Sequence, residues 1–100
     1  MDPELPDLTI ADVVVSTAGR DAGSLFYVID ADPVYLTLAN GKDRTLEKPK
    51  LKKRKHVQKV LRSETRVAEK LRNGDKVLNS ELRRDLAYLS KEMQSTNLGG

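Results

Sequence analysis

The chain has 100 residues, no cysteine, one histidine and a formal net charge of +3. This length fits one small domain, and the missing cysteines exclude a disulfide framework, a thiolate zinc site and a cysteine nucleophile, while one histidine excludes a multi-histidine metal centre. No apolar run approaches the roughly 20 residues of a membrane helix, and the first residues are acidic where a signal peptide is basic, so we expect a cytoplasmic protein without membrane contact.

The first third of the chain predicts two strands joined by a turn. Residues 1–9, with two prolines and three acids, are expected to form a flexible acidic arm. The β-branched run 13–17 is followed by the glycine-bearing segment 19–23, whose glycines supply positive φ angles for a turn. Because residues 25–29 are apolar throughout, both faces of this second strand should be covered.

Three further strands are expected after a turn at residues 30–33. Residues 34–38 alternate between apolar and polar side chains, as a half-buried strand does. Asn40-Gly41 is the preferred dipeptide of a tight hairpin turn, so we predict a fourth strand at residues 42–46. A basic connector around Pro49 and a fifth strand at residues 55–60 follow. Five short strands with tight turns favour a small barrel, which leaves no exposed sheet edge.

Beyond residue 62 the apolar period becomes helical. Ser63 is predicted to cap a helix that stops at Asn73-Gly74, and Asn79 is predicted to cap a second helix. The second helix carries one apolar stripe, composed of Leu82, Leu86, Leu89 and Met93. This stripe is expected to pack against the barrel or the first helix; a partner groove or self-association is the alternative. The sequence therefore predicts a mainly β protein with a barrel at residues 10–61, an extension of two short helices at residues 62–94 and a disordered tail at residues 95–100.

The charges are distributed unevenly along the chain. Residues 1–32 carry one base, Arg20, against seven acids, whereas residues 42–66 carry eleven bases against three acids. We call residues 42–66 the basic stripe. Lysines and arginines brought to phosphates release condensed counterions, so a polyanion is the natural partner of this stripe. A solvated basic loop is the alternative interpretation.

Specific residues of the first sixty resemble a known family. Residues 13–16, 19–23 and 25–29 resemble the KOW motif, a strand-loop-strand unit of ribosomal proteins and transcription elongation factors, with a glycine at the position of Gly23. Further landmarks similar to small bacterial KOW-domain RNA-binding proteins, and to one class of large-subunit ribosomal protein of archaea and eukaryotes, are Asp32, Tyr35, Asn40-Gly41, Arg44, Leu46, Pro49-Lys50 and Lys55-His56. Ala11 stands where such proteins often have glycine. The resemblance implies an SH3-like five-stranded barrel that binds RNA, usually ribosomal, without catalysis.

The candidate RNA contacts combine the basic stripe with the KOW turn. The expected RNA-binding residues are Arg20, Lys42, Arg44, Lys48, Lys50, Lys52, Lys53, Arg54, Lys55, His56 and Tyr35. In the KOW turn, Gly19, Asp21 and Gly23 would let an RNA backbone approach closely; an ordinary hairpin turn is the alternative. The predominance of lysine favours positioning on phosphates over base reading. Tyr35 would either stack on an unpaired base or cover the end of the barrel.

Two functions follow from these patterns. The first is a non-catalytic RNA-binding protein that docks the basic stripe and the KOW turn on structured RNA, most of all ribosomal RNA. The alternative is a protein-interaction adaptor of the transcription or translation machinery, in which the stripe of the second helix binds a partner or a second copy. An enzyme is not expected, because Asp21, Asp30 and Asp32 lie at turns with no nearby histidine. No metal or cofactor is expected either.

Overall fold

Five antiparallel strands form one sheet in the computed structural model, which describes the backbone of residues 8–99 and the side chains of residues 8–93. The strands are β1 (Asp12–Ser16), β2 (Leu25–Ala31), β3 (Tyr35–Ala39), β4 (Lys50–Lys53) and β5 (Val57–Arg62). Their order across the sheet is β4-β3-β2-β1-β5. The predicted antiparallel β architecture is thereby confirmed, and the two edge strands are consecutive in the chain.

The sheet is strongly curved. Its edge strands β4 and β5 are joined only by Arg54–His56, which form a single 3₁₀ turn. In a flat five-stranded sheet the edges lie about 19 Å apart, four spacings of about 4.8 Å, whereas the four Cα–Cα steps from Lys53 to Val57 reach about 14 Å at most. The sheet must therefore curl, although no strand ladder joins β4 to β5 within the described residues.

Both faces of the sheet are covered, as the apolar second strand predicts. The concave face buries a cluster composed of Leu8, Val14, Phe26, Val28, Leu36, Leu38 and Val57. The opposite face packs against the helices through Ala11, Val13, Tyr27, Ala39, Ala68, Leu82, Leu86 and Leu89. Phe26 and Tyr27 point to opposite faces and are both buried, because the helices cover the side that a single barrel would leave open.

Two helices follow the sheet, α1 (Arg66–Asn73) and α2 (Asn79–Gly99). The N-cap of α1 is Thr65, whose side chain accepts a hydrogen bond from the amide of Ala68. The prediction of Ser63 is wrong, because Ser63 Oγ is paired instead with the Tyr27 hydroxyl. Gly74 ends α1 in a left-handed conformation, as predicted. Helix α2 has 21 residues and is not short; it includes residues 95–99, where we expected a tail.

The predicted fourth strand is wrong. Strand β4 lies within the expected basic connector, and residues 40–49 form a loop between β3 and β4. The side-chain oxygen of Asn40 accepts hydrogen bonds from the amides of Lys42 and Arg44 (2.9 and 3.0 Å), so the chain wraps around Asn40 and does not enter a tight hairpin. The predicted arm at residues 1–9 lies outside the described residues except for Leu8, which is buried, and Thr9.

Candidate nucleic-acid interface

Asp21 joins the turn between β1 and β2 to strand β4. Its carboxylate lies 2.6 Å from Lys50 Nζ and 2.8 Å from Lys52 Nζ, and it accepts a hydrogen bond from Ser16 Oγ (2.8 Å). Lys52 Nζ also donates to the carbonyl oxygen of Ala18 at 2.6 Å. Burial raises the pKa of Asp21, but the hydrogen bonds from Lys50, Lys52 and Ser16 outweigh it and hold the pKa well below its usual value.

Two of the predicted RNA-binding lysines are therefore structural. Lys50 and Lys52 are the Cα partners of Leu38 and Leu36, which lie in the concave core, so both lysines project to the inside of the curved sheet. Lys52 is only 8% exposed. A buried ammonium needs a counter-charge, which Asp21 supplies. Lys52 therefore already has its charge partner within the fold.

Arg54 holds the 3₁₀ turn against the turn between β2 and β3. Its Nε donates to the carbonyl oxygen of Asp32 (2.7 Å) and its Nη2 to that of Leu8 (3.3 Å). Asp32 in turn accepts from the amides of Tyr35 and Val34, and these hydrogen bonds lower its pKa. The Arg54 guanidinium is thus fixed in place by two carbonyl groups.

The loop of residues 40–49 is fastened to the first turns of α2. Asn79 Oδ1 accepts from the amide of Leu46 (2.8 Å), Asn79 Nδ2 donates to Glu47 (2.8 Å), and Arg83 donates to the carbonyl oxygen of Gly41 (3.0 Å). Sequence reasoning missed Asn79 and Arg83 in this role. A polar residue on the exposed side of a helix, such as Arg83, does not indicate in the sequence which distant group it contacts. Gly41 did indicate an unusual backbone conformation, because glycine is favoured in turns.

The remaining cations of the candidate site are exposed and have no side-chain partner among the described residues. They are Arg20 in the turn between β1 and β2, Lys42, Arg44 and Lys48 in the loop of residues 40–49, and Lys53 and Lys55 at the end of β4 and in the 3₁₀ turn. We call these six residues the free cations. All are carried by segments that hydrogen bonds fix to the sheet or to α2, so their positive charge is displayed on an ordered surface.

The other predicted site residues lie beside this surface. Tyr35 is half-buried and is the Cα partner of Lys53 across the β3–β4 pair. His56 is half-buried, and its carbonyl oxygen accepts from the amide of Thr17 (2.9 Å). Gly19 and Gly23 have φ angles of +86° and +91°, as a glycine-dependent turn requires.

The apolar stripe of the second helix packs against the rest of the chain. Leu82, Leu86 and Leu89 are buried against the sheet, in one cluster with Val13 and Tyr27. Of the two interpretations of the stripe, packing within the chain is the one that these three leucines show, because the sheet already covers them. Met93, the last member of the predicted stripe, is half-buried.

A buried polar network, which the sequence did not reveal, docks α2 on the sheet. The Tyr27 hydroxyl donates its proton to Asp85 and lies 2.8 Å from Ser63 Oγ, which can donate to it, and Thr65 Oγ1 donates to Asp85 Oδ2 at 2.8 Å. Burial and the neighbouring Asp85 carboxylate raise the pKa of Tyr27 to about 12. The hydroxyl groups are paired with one another and with the carboxylate, so the network serves packing.

Comparison with protein-family models and with curated proteins gave no match. Among the described residues, no group of three or more His, Cys, Asp or Glu side chains is placed to hold a metal ion. Within the same part of the chain, no helix is both long and apolar enough to cross a membrane. Function is therefore inferred from the chain's own residues.

Proposed function

We propose that this protein is a non-catalytic, cytoplasmic RNA-binding protein that docks on the phosphate backbone of structured RNA, ribosomal RNA foremost. The observation that carries the proposal is the set of free cations. Six lysine and arginine side chains project from three ordered segments without a counter-charge among the described residues. Phosphates would relieve their mutual repulsion and release counterions.

The internal pairing of Lys50 and Lys52 supports this proposal. A merely soluble basic segment has no need to neutralise some of its lysines and display others. Here the lysines facing the concave side are paired with Asp21, and Lys53 and Lys55 are exposed. The same short segment therefore serves both packing and charge display.

The SH3-like KOW barrel is part of the proposal. Its support is the short link between the two edge strands, together with the contacts that Lys50 and Lys52 make across the gap to Asp21. In a barrel closed in this way, side chains of β4 replace the missing strand ladder. The turn between β1 and β2, which resembles the KOW turn, then lies over the closing edge and presents Arg20 to solvent.

The adaptor alternative has less support among the described residues. Three of the four residues that defined it, Leu82, Leu86 and Leu89, are buried in the core. The large apolar side chain that the described part of α2 leaves exposed is Tyr88 (55%), whereas the free cations are presented by three separate segments.

The test is the salt dependence of RNA binding. A fluorescently labelled fragment of ribosomal RNA is titrated with the full chain and with the triple variant Lys42→Gln, Arg44→Gln, Lys48→Gln at several salt concentrations. Each lost phosphate contact should lower the log–log slope by about 0.7–0.9, so the triple variant should lose roughly 2.1–2.7 units of slope.

The matched control removes three exposed cations of the helical extension, Lys76→Gln, Arg84→Gln and Lys91→Gln. It changes the net charge by the same amount. The proposal expects the control to keep the slope of the wild-type chain. Equal losses in the two triple variants, or no measurable RNA binding, would overturn the proposed interface.

A further inference from the structure

A cleft of about 740 Å³ opens beside the 3₁₀ turn that joins β4 to β5. Its walls are apolar and include Pro33, Val34 and Val57, while Lys53, Arg54 and Lys55 lie along it. Val34 is 54% exposed, which is unusual for a large apolar side chain beside three consecutive cations. The volume lies within the range of about 300–1,000 Å³ that is typical of small-ligand sites.

We propose that this cleft holds an unpaired nucleotide of the bound RNA, with its base against the apolar wall and its phosphates at Lys53 and Lys55. The inference rests on the proposed function and names the RNA feature that the site recognises. An apolar wall gains nothing from a bare phosphate, and cations gain nothing from an uncharged apolar ligand. An unstacked nucleotide combines an apolar face with an adjacent negative charge.

The guanidinium group of Arg54 is already held in a fixed orientation beside the cleft. The carbonyl oxygens of Asp32 and Leu8 fix two of its guanidinium nitrogens. A guanidinium plane stacks on bases, and one that is already held in place loses little conformational entropy on binding. The base would therefore meet a fixed cation as well as the side chains of Pro33 and Val34.

A second cleft, of about 600 Å³, continues from the first and shares Leu8 and Arg54 with it. Arg62, at the end of β5, and Arg72, near the end of α1, also line it. Arg62 Nε is 3.1 Å from Glu64 Oε1. Arg72 Nη2 donates to the carbonyl oxygen of Ser63, while its buried Nε has no hydrogen-bond partner among the described residues. Asp30 is the one acid in this lining. Arginine forks match phosphate oxygens, so this cleft provides a path for the phosphate next to the held base.

The experiment compares two RNA hairpins that differ only in one bulged nucleotide. In the bulged hairpin this nucleotide is 2-aminopurine, whose fluorescence reports its surroundings. The full chain should bind the bulged hairpin about tenfold more tightly than the fully paired one, with a change in fluorescence, since burying one side chain's worth of apolar surface is worth about that factor.

Val34→Ser removes the exposed part of the apolar wall. The matched control is Leu51→Ser, because Leu51 is also exposed (63%), lies on the outer side of β4 and does not line the cleft. We expect Val34→Ser to abolish most of the preference for the bulge and to leave binding of the paired hairpin unchanged. Leu51→Ser should behave as the wild-type chain does.

The outcomes separate the cleft from the proposed function. Salt-dependent binding of both hairpins with equal affinity would overturn the cleft assignment and leave the RNA-binding proposal standing. Failure to bind either hairpin or ribosomal RNA would overturn both. Val34-dependent sedimentation with phosphatidylserine vesicles, without a preference for the bulge, would assign the cleft to an anionic lipid and overturn the nucleotide site.

Discussion

Lys52 Nζ lies 2.8 Å from Asp21 Oδ1, across the gap between strand β4 and the turn that links β1 to β2. Lys53, the next residue, projects to the opposite side and is exposed. Successive side chains of a strand point to opposite faces, so the lysines of β4 fall into two groups. Those on the inner face are paired with Asp21, and Lys53 on the outer face is exposed to solvent. Under the proposed function, stability and RNA binding should therefore respond to different lysines of the same segment.

Asp21→Asn should destabilise the fold. Lys52 would lose its counter-charge while remaining 8% exposed, which should cost about 2–3 kcal/mol of unfolding free energy at neutral pH. The folded-state pKa of Asp21 is lowered, so its ionised form contributes stability above the unfolded-state value of about 3.9 and loses it as the pH falls through the folded-state pKa. Urea unfolding from pH 7 down to pH 2 should show the two chains converging in acid.

Asp43→Asn is the matched control, because Asp43 is exposed in the loop of residues 40–49 and has no described partner. Its unfolding free energy should stay within about 0.5 kcal/mol of the wild type. A similar loss in both variants would mean that net charge, and not the contact with Lys50 and Lys52, is responsible.

The free energy of unfolding of the wild-type chain should fall at alkaline pH, and Tyr27→Phe should remove this fall. The folded-state pKa of Tyr27 is about 12, against an ordinary value of 10.0. Full stability is therefore present below pH 10 and falls as the pH rises towards 12, by about 2–3 kcal/mol, because the unfolded chain loses its proton first. At neutral pH the substitution should cost about 1–3 kcal/mol, since Asp85 and Ser63 lose a hydrogen-bond partner.

Tyr88→Phe controls for the tyrosine count, since Tyr88 is 55% exposed. Tyr88→Phe should have the wild-type free energy of unfolding at neutral pH and the wild-type decrease at alkaline pH. Urea unfolding at several pH values, with tyrosine ionisation followed by ultraviolet absorbance, measures both effects. An unchanged alkaline weakening in Tyr27→Phe would show that other groups cause it.

The sequence predicted the elements governed by local pattern and missed those governed by distant partners. The apolar run of β2, the glycine turn before it and the leucine stripe of α2 are local signals, and each has its predicted structure. The fourth strand failed because the Asn40 side chain accepts from the amides of Lys42 and Arg44, and the resulting loop is fastened to Asn79 and Arg83, which lie far along the chain.

The candidate site shows the same division. Charge density indicated the basic stripe, but not that Asp21 pairs with Lys50 and Lys52, because that pairing depends on the curvature of the sheet. The leucines of α2 had an obvious face, and the sequence left open whether the sheet or a partner covers it. Only the packing against Tyr27 and Val13 decides that question.

Gly41→Ala should separate the loop of residues 40–49 from α2. A Cβ at Gly41 would lie 2.2 Å from the carbonyl oxygen of Asn79, and φ is +78°. Gly23 has a comparable φ of +91° but open space around it, so Gly23→Ala is the matched control. We expect a loss of about 1 kcal/mol for Gly23→Ala and at least about 2 kcal/mol more for Gly41→Ala. If urea unfolding shows equal losses of unfolding free energy for the two variants, the positive φ angle accounts for both losses and the contact with Asn79 contributes nothing.

Ala11 should accept glycine but not valine. It is buried and has a φ of +72°, a left-handed backbone conformation that favours glycine. Ala11→Gly relieves about 1 kcal/mol of backbone strain and loses a buried methyl group of similar value, so stability should change by less than about 1 kcal/mol. Ala11→Val should cost more than about 2 kcal/mol. Thermal unfolding of the three chains measures this, and a stable valine variant would contradict the left-handed backbone.

The final prediction compares Lys52→Gln with Lys53→Gln, two neighbours on opposite sides of β4. Lys52→Gln removes the buried partner of Asp21 and should lower the unfolding free energy by about 1–3 kcal/mol, because the Asp21 carboxylate keeps only part of its pairing. Lys53→Gln should leave stability unchanged, because the side chain is exposed and unpaired in the described residues. Under the proposed function, it should reduce the slope of ribosomal RNA affinity against salt by about 0.7–0.9. At a temperature where all chains are folded, Lys52→Gln should keep the wild-type slope; the reverse pattern would place Lys52 at the RNA and Lys53 in the fold.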